Sequence, residues 1–191
     1  MESDAELLGR TRGGDPAPFV EVVQRHERVI YRYLSRRAGK GPAEDLLSDV
    51  WAAAFQGRAT FDPAWHSARP WLFGIARNRL RSYWRQQRPA AAGTEAGLDP
   101  WPEVDTRLAI SARAAEIGAA LGSLPADELE VLLLVAWEEL TPSEAAVALG
   151  IPAGTARSRL HRARAALREE LKTLVDSVTG AEPEIGGGCN G

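Results

Sequence analysis

The chain of 191 residues has one cysteine, Cys189, so it can form no internal disulfide and no thiolate metal cluster. Its three histidines, His26, His66 and His161, stand far apart and on no metal-ligand spacing. No apolar run approaches the length of a membrane span, and the acidic start Met1-Glu-Ser-Asp-Ala-Glu6 is unlike a signal peptide. There is no phosphate-cradling glycine loop and no nucleophile elbow. Strand-like alternation and internal repeats are missing too. These absences argue against an enzyme, a metalloprotein and a secreted disulfide scaffold. The expectation is a cytoplasmic, all-α protein with no catalytic residue, no metal, no cofactor and no small-molecule substrate.

What the chain does have is charge, unevenly placed. The net charge is −3, yet residues 1–88 carry 15 Arg/Lys against 10 Asp/Glu. Residues 89–152 reverse this, with 2 against 11. Residues 153–172 then hold 6 against 2, and the last 19 residues hold none against 3. Two basic regions therefore flank an acidic middle, and local charge governs phosphate contact more than the net value does.

Apolar spacing divides the chain into helices. Phe19-Val20, Val22-Val23, Val29-Ile30 and Tyr33-Leu34 recur at three-to-four spacing between the breaker runs Gly13-Gly-Asp-Pro16 and Gly39-Lys-Gly-Pro42. A second helix is predicted over Ala43–Gln56, with Glu44, Asp45 and Asp49 near its start favouring the helix dipole. A loop follows over 57–69, containing Phe61, Trp65 and His66, and a third helix over Pro70–Arg88. Residues 89–106 are aperiodic and rich in Ala, Gly, Pro and acid, which marks a flexible linker. Extended, it would span roughly 60 Å, enough for two domains to sit on separate parts of one duplex. Helices are expected again over 107–121 and 125–138, before a helix-turn-helix. The boundaries are thus 1–88 and 107–179 for two helical domains, with a disordered tail over 180–191.

Two segments carry chemistry. In the first, Thr141, Pro142 and Glu144 make a capping box with proline at the first helical position. Ala145, Ala146 and Leu149 form a small apolar face, and Gly150 supplies the turn. The following helix puts Arg157, His161, Arg164 and Arg168 on one face and Leu160, Ala163, Leu167 and Leu171 on another. One side for a core and one for phosphates and base edges suits a DNA major groove. In the second segment, Pro70–Arg88, Leu72, Ala76, Leu80 and Tyr83 line one face and Arg77, Arg81, Arg85 and Arg88 another, with no acid present. Arginine neutralises phosphate while an aromatic ring stacks on an unpaired base, and Trp84 beside Arg85 is the better stacking candidate than Trp71. The Asp45, Ser48, Asp49 side of the Ala43–Gln56 helix is acidic and polar, which by itself describes an ordinary solvated face.

The runs Ala43-Glu-Asp-Leu-Leu-Ser-Asp-Val-Trp51, Pro70-Trp-Leu-Phe-Gly-Ile-Ala-Arg-Asn78 and Leu149-Gly-Ile-Pro-Ala-Gly-Thr-Ala-Arg-Ser-Arg-Leu-His-Arg-Ala-Arg164 resemble, in order and spacing, the extracytoplasmic-function group of the sigma-70 family. The resemblance covers about residues 5–172. It implies a region 2-like domain that holds the clamp of core RNA polymerase and melts the −10 element. It also implies a region 4-like domain that reads the −35 element and docks on the flap. On this resemblance Asp45, Leu47, Ser48 and Asp49 fall at polymerase-binding positions. Phe61, His66, Arg77, Asn78, Arg81, Trp84 and Arg85 face the −10 element, with the 57–69 loop in the place that captures a flipped base. Arg157, Ser158, Arg159, His161, Arg162 and Arg164 face the −35 element. The implied partners are polymerase, promoter DNA and an anti-sigma factor. The chain departs from the family pattern at Ser48 (often Gln), Ser82 (often Asp or Asn) and Ala156 (usually larger). It also has Glu138-Glu139 where glycine commonly follows an acid. An ordinary helix-turn-helix regulator is the alternative, but it would carry a ligand or dimerisation domain in place of the basic–aromatic helix.

Overall fold

The computed structural model describes residues 2–87 and 112–179, with side chains described over 2–87 and 117–172. The linker expected at 89–106, Arg88, the tail over 180–191 and Cys189 lie outside the described residues. The described residues form helices joined by turns and short loops, with no strand among them, in keeping with the missing alternation.

The first helix, α1 (Asp4–Arg12), was not anticipated, although its signal stands in the sequence as Ser3-x-x-Glu6. The Ser3 hydroxyl accepts from the Glu6 amide at 3.3 Å, and the Glu6 carboxylate accepts from the Ser3 amide at 2.6 Å. Leu7 and Leu8 then enter the core. Beside them Asp4 is buried, accepting from His26 Nε2 (2.6 Å), Arg25 Nη1 (2.9 Å) and the Ala68 amide (2.8 Å). One carboxylate thus ties α1 to the second helix and to the chain just before the fourth.

Helix α2 (Ala17–Ala38) buries Phe19, Val22, Ile30, Tyr33 and Leu34, spaced along one stripe. It ends at Gly39, whose φ of +82° suits glycine, and α3 (Lys40–Gln56) begins at once. The break is narrower than the Gly39–Pro42 run implied, because Pro42 is tolerated in a first helical turn. Helix α4 (Arg69–Gln87) lays Leu72, Phe73, Ala76 and Leu80 against α2 and α3. Tyr33 meets Phe73 edge-on at 5.0 Å, and Phe19 meets Phe55 at 5.2 Å.

Helices α5 (Ala112–Gly122), α6 (Ala126–Ala136), α7 (Pro142–Leu149) and α8 (Ala153–Thr179) build the second unit around Leu129, Leu133, Leu149 and Leu160. Full burial of each such leucine is worth roughly 1.5–3 kcal/mol. The capping box forms as the sequence predicts: Thr141 Oγ1 accepts from the Glu144 amide at 3.2 Å, and Glu144 accepts from the Thr141 amide at 2.7 Å. Gly150 closes α7 in the left-handed conformation, φ +66°. Glu139, just before the box, has φ +55°, which explains why glycine commonly follows the acid here.

The two units are in contact: α7 packs directly on α4, and their apolar residues form one cluster. The linker sequence constrains only how far apart they can go, not whether their surfaces fit.

Two outcomes test these assignments. Burial alone would push the Asp4 carboxyl up, but hydrogen bonds from His26 and Ala68 and attraction to His26 outweigh it and hold it at about 2. A depressed carboxyl pKa gives stability that is present above the unfolded value and lost as pH falls through the folded one. Urea titrations should therefore show stability falling as the pH drops from about 4 to about 2, while Asp4→Asn loses about 2 kcal/mol near neutrality and flattens that slope. Second, Glu139→Gly should keep or raise the thermal midpoint, whereas β-branched Glu139→Val should lower stability by at least about 1 kcal/mol.

Candidate nucleic-acid interface

The apolar stripe of α8 decides which of its basic residues face outward. Ala156, Leu160 and Ala163 are buried, and Leu167 packs beside them. Arg157, Ser158, His161, Arg164 and Arg168 are exposed along the helix. Arg157, Arg164 and Arg168 make no ion pair with a described residue, so their charge stays available to an anion. Arg159 and Arg162 reach toward α6, Arg162 while exposed and also donating to Ser158 at 2.8 Å. Arg159 Nη2 pairs with Asp127 at 2.5 Å, and Arg162 Nε with Glu128 at 2.6 Å. Both acids lie in the first turn of α6, so these arginines lock α8 to α6.

On α4 the stripe also divides. Asn78, Arg81 and Arg85 are exposed. Arg77 is not: its side chain is 17% exposed and its fork grips Glu130 of α6, Nε–Oε1 at 2.5 Å and Nη2–Oε2 at 3.1 Å. Trp84 is half-buried and meets Tyr83 edge-on at 5.0 Å, keeping part of its ring accessible.

The loop before α4 is held by residues the sequence reading overlooked. Arg12 donates to the carbonyls of Arg58, Ala59 and Phe61, the last at 2.6 Å. Arg58 returns the contact by donating to the carbonyl of Thr11 at 3.3 Å. The capping box at Ser3, which predicts α1, was the signal that could have found them. Within the loop His66 is exposed and Trp65 half-buried, but Phe61 is in the core, 3% exposed, edge-on to Trp71 at 5.6 Å. On α3, Asp45, Ser48 and Asp49 are exposed, and Leu47 packs partly on the core. Among the described residues no group of three His, Cys, Asp or Glu is arranged to hold a metal, and no helix is long and apolar enough to cross a membrane.

Residues 22–90 match the Sigma-70 region 2 family, and residues 114–167 match Sigma-70 region 4. The RNA polymerase sigma factor NccH of Alcaligenes xylosoxydans xylosoxydans is 32% identical, over 89% of this chain and 95% of that protein. The ECF RNA polymerase sigma factor SigM of Mycobacterium tuberculosis (strain H37Rv) is 33% identical, over 92% and 88% respectively. This chain belongs to the extracytoplasmic-function group of the sigma-70 family. The solved structure of CnrH in complex with the cytosolic domain of CnrY is 28% identical, with a TM-score of 0.62 over 89% of this chain and 97% of that one.

As a sigma factor, the chain carries its region 2 match on α2–α4 and its region 4 match on α5–α8. Four of its expected DNA-facing residues are engaged by the protein itself in this conformation. Phe61 is buried edge-on to Trp71 and anchors the loop in this conformation. Arg159 and Arg162 pair with Asp127 and Glu128 of α6, although Arg162 stays 56% exposed and also donates to Ser158 at 2.8 Å. Arg77 is turned inward by Glu130, 53 positions away, beyond the reach of any local pattern. The split on α8 makes a prediction for binding to a duplex at varied salt. Arg157→Ala or Arg164→Ala should reduce the salt slope by about 1 per lost phosphate contact, or relax preference at a single base pair by about 1–3 kcal/mol. Arg159→Ala should do neither and should lower the thermal midpoint of the domain slightly.

Proposed function

We propose that this sigma factor works as the promoter-reading subunit of RNA polymerase, with α8 on −35 duplex and α4 on the −10 element. The observation that carries it is the co-occurrence, in order on one chain, of both sigma matches with an outward basic face on α8. Arg157, Ser158, His161 and Arg164 are the −35 candidates that the outward face supports. Asn78, Arg81, Trp84, Arg85 and His66 are the −10 candidates that remain accessible. Exposed Asp45, Ser48 and Asp49, with Leu47 beside them, are the proposed contacts to the polymerase clamp, and region 4 would dock on the flap. The bond-making chemistry would belong to the polymerase, with this chain supplying no catalytic group.

The site of action on this reading is the cytoplasm, where polymerase and promoter are. An anti-sigma factor is the expected regulator. The related CnrH has been solved with the cytosolic domain of CnrY, which supports a protein partner of that kind here.

The test is transcription from a promoter panel by core polymerase with and without the full chain. The expected result is chain-dependent initiation at a subset of promoters. Asp49→Arg should reduce holoenzyme formation, and Arg81→Ala should impair strand opening more than duplex binding. DNA binding without any polymerase-dependent initiation would instead make the protein an ordinary helix-turn-helix regulator.

A further inference from the structure

The loop between α3 and α4 carries a tip, residues 62–67, that is exposed or half-exposed throughout. Helix α1 holds the backbone on each side of it. On the leading side the Phe61 carbonyl accepts from Arg12 Nη2 at 2.6 Å, and the Arg58 and Ala59 carbonyls accept from the same nitrogen at 3.2 and 3.3 Å. On the trailing side the Ala68 amide donates to Asp4 Oδ2 at 2.8 Å, while the Ala68 carbonyl accepts from the Leu72 amide of α4 at 2.9 Å. Phe61 and Ala68, the residues that bound the tip, are both buried. Within the tip the bonds are local: the Asp62 carboxylate accepts from the Ala64 amide at 2.9 Å, and the Asp62 carbonyl from the Trp65 amide at 3.1 Å.

Neither clamp is free to drift. Helix α1 is seated in the core by Leu7 and Leu8, and Asp4 also accepts from Arg25 and His26 of α2. The carboxylate that holds Ala68 is therefore itself fixed. On the other side Arg58 donates to the Thr11 carbonyl of α1 and to the Phe55 carbonyl of α3, the latter at 2.7 Å. The bonds from Asp4 and Arg12 to the loop fall on backbone groups, so they set where the tip stands whatever side chains it carries. Both are charge-assisted, which makes them stronger than bonds between neutral groups. Helix α1 also lies outside residues 22–90, the stretch that matches region 2, so that match does not account for its hold on the loop.

The tip itself has what an unstacked base needs. Trp65 is a half-buried aromatic ring, and His66 is an exposed imidazole with a hydrogen-bonding nitrogen at each side. Telling one base from another requires donors and acceptors at a set distance and angle. A tip free to shift would meet several bases equally well, because discrimination is a difference between affinities. We propose that Asp4 and Arg12 are positioning residues for base selection: by holding the two ends of the tip they set which unpaired base of the −10 element it accepts, without contacting that base themselves. The proposal rests on the −10 role given to His66 above.

The test uses the full chain with core polymerase, at the promoter of the panel that the parent chain serves best, with each −10 base replaced in turn. Arg12→Ala should cut selectivity at one −10 position about tenfold, the size of one lost directional base contact. Selectivity at the other positions should stay as in the parent. Asp4→Ala should act at the same position. Arg10→Ala is the control for charge: it removes a cation from the same helix, but one that pairs only with Glu2 and Asp15, and it should keep the parent profile. A second readout needs no DNA. With Cys189→Ser and a spin label at exposed Ala64→Cys, the spectrum should show a more mobile tip in Arg12→Ala and no change in Arg10→Ala. If Arg12→Ala, with helical content intact, keeps the parent selectivity at every −10 position, or loses it equally at all of them, the proposal is overturned. A label as immobile as in the parent overturns it as well. Should Asp4→Ala fail to fold, Arg12→Ala decides alone. Initiation from no promoter by the parent chain would remove the −10 reading and this proposal with it, whereas an unaltered Arg12→Ala profile at a served promoter removes the proposal only.

Discussion

Everything in this molecule leans on α4, a single helix obliged to satisfy three neighbours at once. Its apolar stripe of Leu72, Phe73, Ala76 and Leu80 closes the region 2 core against α2 and α3. Its narrow edge at Gly74 receives α7 of region 4. Its remaining surface carries Asn78, Arg81 and Arg85 outward. Successive residues of a helix point in different directions, so these duties are compatible only if each residue type falls on its own face. Glycine at the crowded edge and arginine at the open one meet that condition.

The same division of labour governs charge. The acidic middle of the chain supplies partners for specific arginines as well as solvating the surface. Asp127 and Glu128 fix Arg159 and Arg162 within region 4, and Glu130 and Glu138 reach across to region 2. On α8, Arg157, His161, Arg164 and Arg168 remain exposed without an acidic partner among the described residues, which defines the basic face more narrowly than composition does. Arginine count overstates the nucleic-acid surface because pairing and burial withdraw part of it.

Region 2 is held at its other end by a buried carboxylate and by backbone carbonyls. Asp4 joins α1, α2 and the chain before α4, while Arg12 grips the loop carbonyls of Arg58, Ala59 and Phe61. The loop that would meet an opened base is therefore anchored from below by α1. Its exposed rim, His66 above all, keeps freedom to contact a ligand. Anchoring of this kind favours binding, since less conformational freedom has to be lost when a strand arrives.

The helices, their caps and the turn at Gly150 were determined by sequence, since they depend on local periodicity and on side chains three residues apart. The three motifs fixed family membership for a similar reason: their residues lie close along the chain and in set order. The helix α1 was legible in Ser3 and Glu6, though overlooked. Only the tertiary structure decided that Phe61 is core, that Arg159 and Arg162 are braces, and that Arg77 is turned to Glu130. Residues 77 and 130 are separated by 53 positions, and Arg36 and Glu138 by 102, so no local pattern could pair them. Periodicity tells which face a residue occupies, and packing alone tells what that face meets.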